Sequence, residues 1–437
     1  MSRPLVDFTH DPERISWVPG ANGHNDFPVQ NLPLGIFSSA NMDRRAGVAI
    51  GDKIVDLRAL YESVVSEDAR AILEPVAYVK ELNSFIARGE HPRIALRHLL
   101  FRFLTENPER LIEQTPLDSI LIAMKDCTLH LPVRINNYTD FFAGVHHAEN
   151  AARRRQIPGG QFPNYPYVPI AYHGRASSIR PSGHAMRRPR GQFRIADAPE
   201  PVVGPTRKLD FELEFGTWIA SGNELGHPID IRDAHQHIAG YCLSNDLSAR
   251  DIQVWEAQPL GPFLAKNFGT VVSPWLITPE AIAPFRTARR ARGPEEPAVL
   301  QYLDDTADAA SGGVVVNLEV WLSSRQMRSA EIPATCISAT STRELYWTAA
   351  QMIAHHTIGG CDLQPGDLLG SGTISGTVPA SGGSMIELTN DGASPVEIGN
   401  GELRAFLEDG DEVVFVGRCH RQGFASIGFG ECRAVIH

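Results

Sequence analysis

Cysteine pairs, long apolar runs and positive charge are what this sequence has least of. Its six cysteines are scattered without C-x-x-C spacing, so the sequence indicates neither a zinc site nor a disulfide framework. No apolar run approaches the roughly 20 residues of a membrane span. Residues 1–17 carry charged side chains in place of the apolar core of a signal peptide. These absences predict a cytoplasmic protein that does not enter a membrane.

The charge balance and the length exclude further classes. The chain has 40 basic and 51 acidic side chains, a formal net charge of -11. It therefore lacks the positive field that neutralises phosphates, which argues against nucleic acid as a general partner. At 437 residues it is too long for one ordinary hydrophobic core, so two domains are expected.

The first part of the chain has the pattern of a small unit of strands and helices. Residues 47–57 contain two β-branched runs on either side of Gly51-Asp52, which predicts a hairpin. Residues 66–110 show the apolar spacing of helices, interrupted at Gly89 and Pro92. No catalytic chemistry is visible in this part of the chain.

Near residue 118 the sequence pattern changes from helical to strand-like, which predicts the start of a larger β domain. Residues 119–123 and 128–133 have the pattern of its first strands. We therefore divide the chain into an N-terminal β domain with helices, residues 1–118, and a C-terminal catalytic domain, residues 119–437.

The most informative stretch runs from Lys208 to Phe215. Apolar residues alternate there with Asp210, Glu212 and Glu214, the period of two expected for a strand with one buried face. The three carboxylates therefore project from one side, about 7 Å apart along the strand. Such a row is stable either as a wet face, the default for a half-exposed strand, or around a hard divalent cation such as Mg²⁺ or Ca²⁺.

The segment that begins at Asp246 favours the metal interpretation. Asp246 follows an apolar run, where a buried carboxylate requires a partner. Arg250, Gln253 and Lys266 come next and supply cationic and amide donors. Donors beside a metal are what an enzyme needs to hold negative charge that develops on oxygen.

Three other positions have candidate roles that the local sequence leaves open. Asp140, in an aromatic setting, is either a turn-capping residue or another ligand of the acidic cluster. His146 and His147 are adjacent, so on a helix they point about 100° apart and do not serve one metal. One of them is a candidate general base, and a surface or capping role is the alternative. The glycine-rich segment 366–376 lets backbone amides approach a ligand carboxylate or phosphate.

Taken together, these motifs resemble the fumarylacetoacetase (fumarylacetoacetate hydrolase) family, nearly from end to end. Relatives that share only the larger domain include acylpyruvate hydrolases, hydratases and decarboxylases, so the N-terminal motifs narrow the resemblance. The resemblance implies a mostly β chain with helices, made of an N-terminal SH3-like barrel and a C-terminal mixed β-roll, and a homodimer. The motifs that carry it are Asp26-Phe27-Pro28, Tyr138-Thr139-Asp140-Phe141, Tyr172-His173-Gly174-Arg175, Leu209 to Glu214, Asn245-Asp246, Arg250 to Gln253, Gly261 to Lys266, Ser371 to Gly376 and Met385-Ile386-Glu387.

The resemblance also implies a set of metal ligands for Mg²⁺ or Ca²⁺. Asp210 is left as a neighbour of the ion, and two other residues, Lys266 and Thr270, match a second contact region near it. The four carboxylates that match the ligands are Asp140, Glu212, Glu214 and Asp246.

For catalysis the resemblance implies a histidine base with polar donors around it. His147, rather than His146, matches the general base, and Glu387 matches the residue that orients it. The donors around the reacting carbonyl match Arg250, Gln253 and Lys266.

The implied substrate contacts depart from the family pattern at two positions. Tyr172, Thr373 and Gln253 match substrate-binding positions. Phe142 stands where the family commonly has tyrosine, so one hydroxyl contact is missing. The family's substrate-binding arginine aligns with Gln156 unless the register shifts by one residue to Arg155.

The function implied by the resemblance is hydrolysis of a small diketo acid, 4-fumarylacetoacetate, to fumarate and acetoacetate. This is the last step of tyrosine and phenylalanine degradation. Three alternatives stay open: an acylpyruvate hydrolase, a lyase that uses the same metal without an attacking water, and a metal-binding or scaffold protein without activity. The combination of base, donors and acids disfavours the third.

Overall fold

The computed structural model describes residues 5–112, 115–195 and 199–437. The first four residues of the segment that we examined for a signal peptide lie outside these ranges. Among the described residues, no helix is both long and apolar enough to cross a membrane. All six cysteines are free.

The N-terminal part is an antiparallel five-stranded sheet in the order β4-β3-β2-β1-β5, with helices packed on it. The predicted hairpin is confirmed: β2 and β3 pair from Ile50 opposite Lys53, and Gly51 has a φ of 54° in the turn. The elements of this part are β1 (Leu34–Ser39), β2 (Met42–Ile50), β3 (Lys53–Asp56), α1 (Leu57–Ser63), α2 (Glu67–Ala77), α3 (Asn83–Ile86), α4 (Glu90–Thr105), β4 (Leu121–Ala123) and β5 (Thr128–His130).

The expectation that residues 119–123 and 128–133 begin the larger β domain is wrong. Strand β4 pairs with β3, and β5 pairs with β1, so both strands close the edges of the N-terminal sheet. A strand pattern shows that a segment is extended, but it does not show which sheet accepts it. The division at residues 118 and 119 stays a prediction, and this pairing favours a boundary after His130.

The C-terminal part contains most of the strands and a series of short helices. Its elements are β6 (Tyr138–Phe141), α5 (Val145–Arg154), β7 (Ala171–His173), β8 (Ile179–Pro181), β9 (Ala185–Met186), β10 (Arg190–Phe193), β11 (Val202–Pro205), β12 (Leu209–Asp210), β13 (Leu213–Ile219), β14 (Ile238–Asp246), β15 (Ser248–Ala249), α6 (Arg250–Glu256), β16 (Thr270–Val272), α7 (Pro279–Ile282), β17 (Arg286–Thr287), α8 (Thr306–Ser311), β18 (Gly313–Val314), β19 (Asn317–Ser323), α9 (Arg325–Ser329), β20 (Thr335–Ser341), α10 (Ala349–Thr357), β21 (Leu368–Gly370), α11 (Met385–Leu388), β22 (Val396–Ile398), β23 (Glu402–Arg404), β24 (Glu412–Cys419) and β25 (Ile427–Ile436).

Two larger sheets dominate this part. A seven-stranded sheet has the order β7-β6-β21-β13-β14-β16-β8, and a five-stranded sheet has the order β20-β19-β24-β25-β9. Both sheets are mixed, because β6 and β21 are parallel in the first and β9 and β25 are parallel in the second. The predicted fold class, strands with helices in mixed sheets, is therefore confirmed at this level.

The two faces of the seven-stranded sheet have different partners. On one face, Trp218, Cys242 and Leu368 pack into the same apolar core as the N-terminal strands and helices. On the other face, Phe215 and Tyr241 join the core of the C-terminal part. Side chains alternate between faces along a strand, so residues at even positions of β13 face the N-terminal part. This alternation places the acidic residues described below.

Candidate metal and catalytic site

The segment Lys208 to Phe215 is a broken strand whose acids are buried. Strand β12 ends at Asp210 and β13 begins at Leu213. Asp210, Glu212 and Glu214 are 0%, 5% and 0% exposed. The wet-face interpretation is therefore excluded, because a solvated acidic face needs exposed carboxylates.

Four carboxylates converge beside this break. Each offers one oxygen, and these oxygens lie within 4.8 Å of one another. Pairing explains the convergence for two of them: Asp140 is opposite Gly370 in neighbouring strands, and Asp246 is opposite Thr270. We call this group the acidic cluster; its members are Asp140, Glu212, Glu214 and Asp246.

The acidic cluster fits a hard divalent cation. Both oxygens of Glu214 are buried without a hydrogen-bond partner. Burial and the charges of Asp140 and Asp246 raise the pKa of Glu214 well above its usual range. A side chain on Gly370 would lie 2.6 Å from Asp140 Oδ1 and 2.8 Å from Glu214 Oε2, so the missing Cβ leaves room beside both carboxylates. Oxygen ligands without nitrogen or sulfur suit Mg²⁺ or Ca²⁺.

Backbone geometry also shapes this corner of the site. Gly372 has a φ of 71°, and a Cβ there would lie 2.1 Å from the carbonyl oxygen of Phe141. The Gly372 amide donates to Asp140 Oδ1 at 3.2 Å. A residue with a side chain is strained in this conformation, so glycine allows this close approach to Asp140; the approach of the segment to a ligand carboxylate or phosphate stays a prediction.

Lys266 and Thr270 reach the acidic cluster through its carboxylates. The Lys266 ammonium contacts Glu212 and lies 2.9 Å from Asp246 Oδ2, and the Thr270 hydroxyl donates to Asp246 Oδ1 at 2.5 Å. Burial opposes the charge on Lys266, but Asp246 and Glu212 raise its pKa above the usual value. The ammonium therefore stays charged and offsets part of the cluster's charge; its predicted place in a second metal contact region stays a prediction.

Asp210 is the partner of Arg250 and no member of the acidic cluster. Arg250 Nε donates to Asp210 Oδ2 at 2.7 Å, while Nη1 lies 2.8 Å from Glu212 Oε1 and 3.0 Å from Gln253 Oε1. Nη2 of Arg250 is buried without a partner. Gln253 accepts through its oxygen, so its amide N–H groups are left to bind another acceptor.

A histidine–carboxylate pair lies next to this network. His147 Nδ1 is 2.7 Å from Glu387 Oε2. Although burial alone raises the pKa of Glu387, His147, Asn150 and Ser384 lower it well below its usual range. An ionised carboxylate only accepts hydrogen bonds, so Nδ1 must donate and Nε2 of the neutral imidazole carries the free lone pair. This is the tautomer that a general base requires.

His146 faces elsewhere. Its Nε2 is 3.0 Å from Glu344 Oε2, and its Nδ1 is 3.4 Å from Glu149 Oε2. Both ring nitrogens therefore contact surface carboxylates, which supports His147 as the candidate base. Phe142 packs edge-on against the His147 ring at a centroid distance of 5.4 Å, so its aromatic ring helps to fix the imidazole.

The remaining predicted substrate residues lie near the acidic cluster or the end of α5. The Tyr172 hydroxyl donates to Asp246 Oδ2 at 2.7 Å. Thr373 is 1% exposed, and its hydroxyl has no hydrogen-bond partner. The Arg155 guanidinium packs over the Phe162 ring, 5.8 Å from its centroid. Their contacts with a substrate stay predictions.

Arg154, which precedes Arg155, lies on the same helix as His147. It follows His147 by seven residues, which places both on one face of α5. Part of the side chain is exposed, yet burial lowers the pKa of Arg154 while the charge of Glu387 opposes the shift and that of Arg250 adds to it. No hydrogen bond or ion pair engages the Arg154 side chain within the described ranges. Helical spacing from His147 was the signal that could have made Arg154 a candidate.

Sequence reasoning also missed the residues that hold Glu387. Asn150 donates to Glu387 Oε1 at 2.7 Å, and the Ser375 and Ser384 hydroxyls donate to Oε2 at 2.8 and 2.7 Å. Two signals were available. Asn150 comes three residues after His147, on the same helix face, and Ser384 precedes Glu387 by three, the spacing of a capping box.

Comparisons with known proteins support the family resemblance. The fumarylacetoacetate (FAA) hydrolase C-terminal region matches residues 136–437, and the fumarylacetoacetase N-terminal region matches residues 30–132. A fumarylacetoacetase of Arabidopsis thaliana is 43% identical over 426 residues, 95% of this chain and 96% of the relative. A fumarylacetoacetase of Homo sapiens is 41% identical over 429 residues, 97% of this chain and 98% of the relative. A solved fumarylacetoacetate hydrolase from Exiguobacterium antarcticum has a TM-score of 0.51 at 15% identity, with 93% of this chain and 99% of that chain covered; it supports the fold alone.

Replacing Glu214 by glutamine should weaken binding of Ca²⁺ by at least about 10- to 100-fold, the usual cost of losing even a supporting partner of a metal site. Isothermal titration calorimetry of the chelator-treated protein measures this, with Glu62→Gln on the surface as the matched control. Unchanged affinity in Glu214→Gln would remove Glu214 from the ligand set.

The same binding should depend on pH in a defined direction. Burial and neighbouring carboxylates raise the pKa of Asp140 and of Glu214, so without an ion the folded protein binds protons that the unfolded chain releases. Its stability then falls as pH rises above about 4, and an added ion offsets that loss. The gain in Tm on adding Ca²⁺ should therefore grow between about pH 5 and pH 8 in the wild type. It should grow less in Glu214→Gln, which keeps only the raised pKa of Asp140.

Proposed function

Because the chain belongs to the fumarylacetoacetate hydrolase family, we propose that it hydrolyses 4-fumarylacetoacetate to fumarate and acetoacetate. The observation that carries this proposal is the His147–Glu387 pair beside the acidic cluster, in a chain that aligns with fumarylacetoacetases over nearly its whole length. The reaction breaks a carbon–carbon bond of a 1,3-diketone. It is the last step of tyrosine and phenylalanine degradation.

We propose Mg²⁺ or Ca²⁺ as the cofactor, held by the four residues of the acidic cluster. The all-oxygen ligand set and the unpaired Glu214 oxygens support a hard cation. Such an ion supplies Lewis acidity to the oxygens of the diketone when it is bound.

His147 acts as the base in this proposal. Nε2 takes a proton from water, and the oxygen of that water attacks the carbonyl carbon next to the bond that breaks. When the tetrahedral intermediate collapses, the carbon–carbon bond breaks, its electron pair goes to the acetoacetate carbon, and that carbon takes the proton from Nε2. Glu387 stays ionised because His147, Asn150 and Ser384 lower its pKa against the effect of burial. The imidazolium that forms is therefore stabilised by a charge 2.7 Å from Nδ1.

Three donors are available for the negative charge on the attacked carbonyl oxygen. These are the Lys266 ammonium, the free amide N–H groups of Gln253 and the buried, unpaired Nη2 of Arg250. Lys266 and Arg250 are 7% and 5% exposed, so they act in a low-dielectric setting where such donors stabilise an oxyanion most.

The far carboxylate of the substrate requires a cation away from the base. Arg154 lies about 10 Å from His147 along α5, the rise of seven helical residues, and it has no partner of its own among the described residues. We therefore place the substrate carboxylate at Arg154, with Arg155 as the alternative from the family register. Tyr172, Thr373, Gln253 and Phe142 are proposed to line the rest of the substrate site.

Some finer features are proposed on the family resemblance. These are an SH3-like barrel in the N-terminal part, a β-roll in the C-terminal part and a homodimer. A cytoplasmic location is also proposed, since six free cysteines suit a reducing compartment. Exposed apolar side chains between Gln253 and Lys266, among them Val254, Leu260 and Phe263, support association, because large exposed apolar groups favour a partner surface.

Purified protein should remove the ultraviolet absorbance of fumarylacetoacetate and release equal amounts of fumarate and acetoacetate. A chelator should abolish the loss, and Ca²⁺ or Mg²⁺ should restore it. No loss, combined with turnover of acylpyruvates, would assign the chain to a different hydrolase with the same acidic cluster.

His147→Gln should lower kcat by about 10²- to 10⁴-fold, the usual contribution of a general base. Ca²⁺ affinity should stay close to wild type, because His147 contacts Glu387 and no member of the acidic cluster through a hydrogen bond. His146→Gln is the matched control and should keep wild-type kcat. Wild-type turnover in His147→Gln would exclude His147 as the base.

Arg154→Ala should raise the KM for fumarylacetoacetate by about 10- to 100-fold, the loss of one charge-assisted hydrogen bond. A substrate analogue with an amide in place of the far carboxylate should show no such difference between wild type and variant. Arg155→Ala is the control; a larger effect on KM from Arg155→Ala would move the carboxylate to Arg155.

A further inference from the structure

A cavity lies on the face of the seven-stranded sheet opposite to the acidic cluster. It has a volume of about 240 Å³ and is lined on its apolar side by Phe215, Tyr241, Trp347 and Met352. Phe215 follows Glu214 on β13, and successive side chains of a strand point to opposite faces. The cavity is therefore separated from the acidic cluster by the thickness of the sheet.

The unpaired buried groups of this cavity are donors. Two side-chain atoms of the described lining residues are buried without a hydrogen-bond partner. They are Nη1 of Arg289 and Nε1 of Trp347. Trp347 is 1% exposed. An unmatched buried N–H costs free energy unless an acceptor reaches it, so the cavity is suited to a ligand that brings acceptor atoms.

Positive groups in the cavity wall also favour an acidic ligand. Arg289 is bound through Nη2 to Asp304 at 2.6 Å, and its Nη1 is 3.9 Å from Asp308 Oδ2, too far for a hydrogen bond. Arg343 lines the rim, is exposed, and has no side-chain partner among the described residues. The nine-residue helix α10 begins in the same wall at Ala349 and adds the positive end of its dipole.

We propose that this cavity binds a small organic acid with an apolar body. Its carboxylate would accept from Arg289 Nη1 and Trp347 Nε1 with Arg343 nearby, and its aromatic or branched aliphatic body would contact Phe215 and Met352. The volume admits a molecule the size of benzoate. This binding goes beyond the proposed function, because it uses no residue of the acidic cluster and neither member of the His147–Glu387 pair.

A short series of hydrogen bonds connects the cavity wall to the acidic cluster. Ser371 lines the cavity, accepts from the Phe215 amide at 3.0 Å and donates to the Gly372 carbonyl at 2.7 Å. The Gly372 amide in turn donates to Asp140. An acid bound in the cavity is therefore expected to change the affinity of the acidic cluster for its ion, and the ion to change the affinity for the acid by the same factor.

Benzoate is the probe for this proposal, and benzamide is its neutral control of the same shape. Calorimetric titration of the full chain in the presence of Ca²⁺ should show one benzoate site per chain and at least about 10-fold weaker binding of benzamide, as expected for loss of a charge-assisted bond. Trp347→Phe and Arg343→Gln should each weaken benzoate binding, while Arg153→Gln should not. Arg343 is exposed, so its replacement keeps the proposal testable if Trp347→Phe fails to fold.

Several outcomes would overturn the proposal. These are equal binding of benzamide, full displacement of benzoate by fumarate and acetoacetate, and loss of benzoate binding in Arg154→Ala, which would place the benzoate in the substrate site. A benzoate Kd above about 10 mM would also overturn the proposal. Dissociation of an oligomer in Arg343→Gln, measured by light scattering, would assign the cavity to a contact between copies of the chain. The benzoate titration and the fumarylacetoacetate assay are independent, so either can fail alone.

Discussion

The burial of four carboxylates in one small volume is the constraint on which the rest of the structure depends. Like charges that leave water together are unfavourable unless cations or donors compensate them. Lys266 compensates Glu212 and Asp246, and Arg250 compensates Glu212. Asp140 and Glu214 have no bonded cation among the described residues, so burial and the neighbouring carboxylates raise the pKa of each. The fold therefore preserves an incomplete charge balance that a divalent cation completes.

The site separates two kinds of buried acid by their surroundings. Glu214 faces other carboxylates and lacks donors, whereas Glu387 receives bonds from His147, Asn150 and two serines. Burial raises the pKa of both acids, but donors reverse the shift only for Glu387. One acid is therefore suited to a cation and the other to holding an imidazole, a division of roles that environment alone produces.

The sequence predicted the chemistry better than the arrangement of its parts. Alternation along Lys208 to Phe215 identified the acids, because the period of two survives the break between β12 and β13. It did not show whether that face is wet, since exposure depends on which sheet covers it. Strands β4 and β5 were placed in the wrong unit for the same reason: pairing partners are set by contacts distant in sequence. Alignment register led to Arg155 as the predicted arginine, whereas the helix position relative to His147 makes Arg154 the proposed one.

Strand β13 connects the acidic cluster with the cavity, since its alternation sends Glu214 toward the acidic cluster and Phe215 toward the cavity. A strand fixed on both sides by ladders, to β14 and to β21, cannot shift one face without moving the other. Ser371 strengthens this link, because it binds the Phe215 amide and the Gly372 carbonyl at the point where the chain turns toward Asp140. Coupling between the faces then requires no conformational switch. The bonds of Ser371 and Gly372 join the Phe215 backbone to Asp140, and partners that orient a metal ligand change its affinity for the ion.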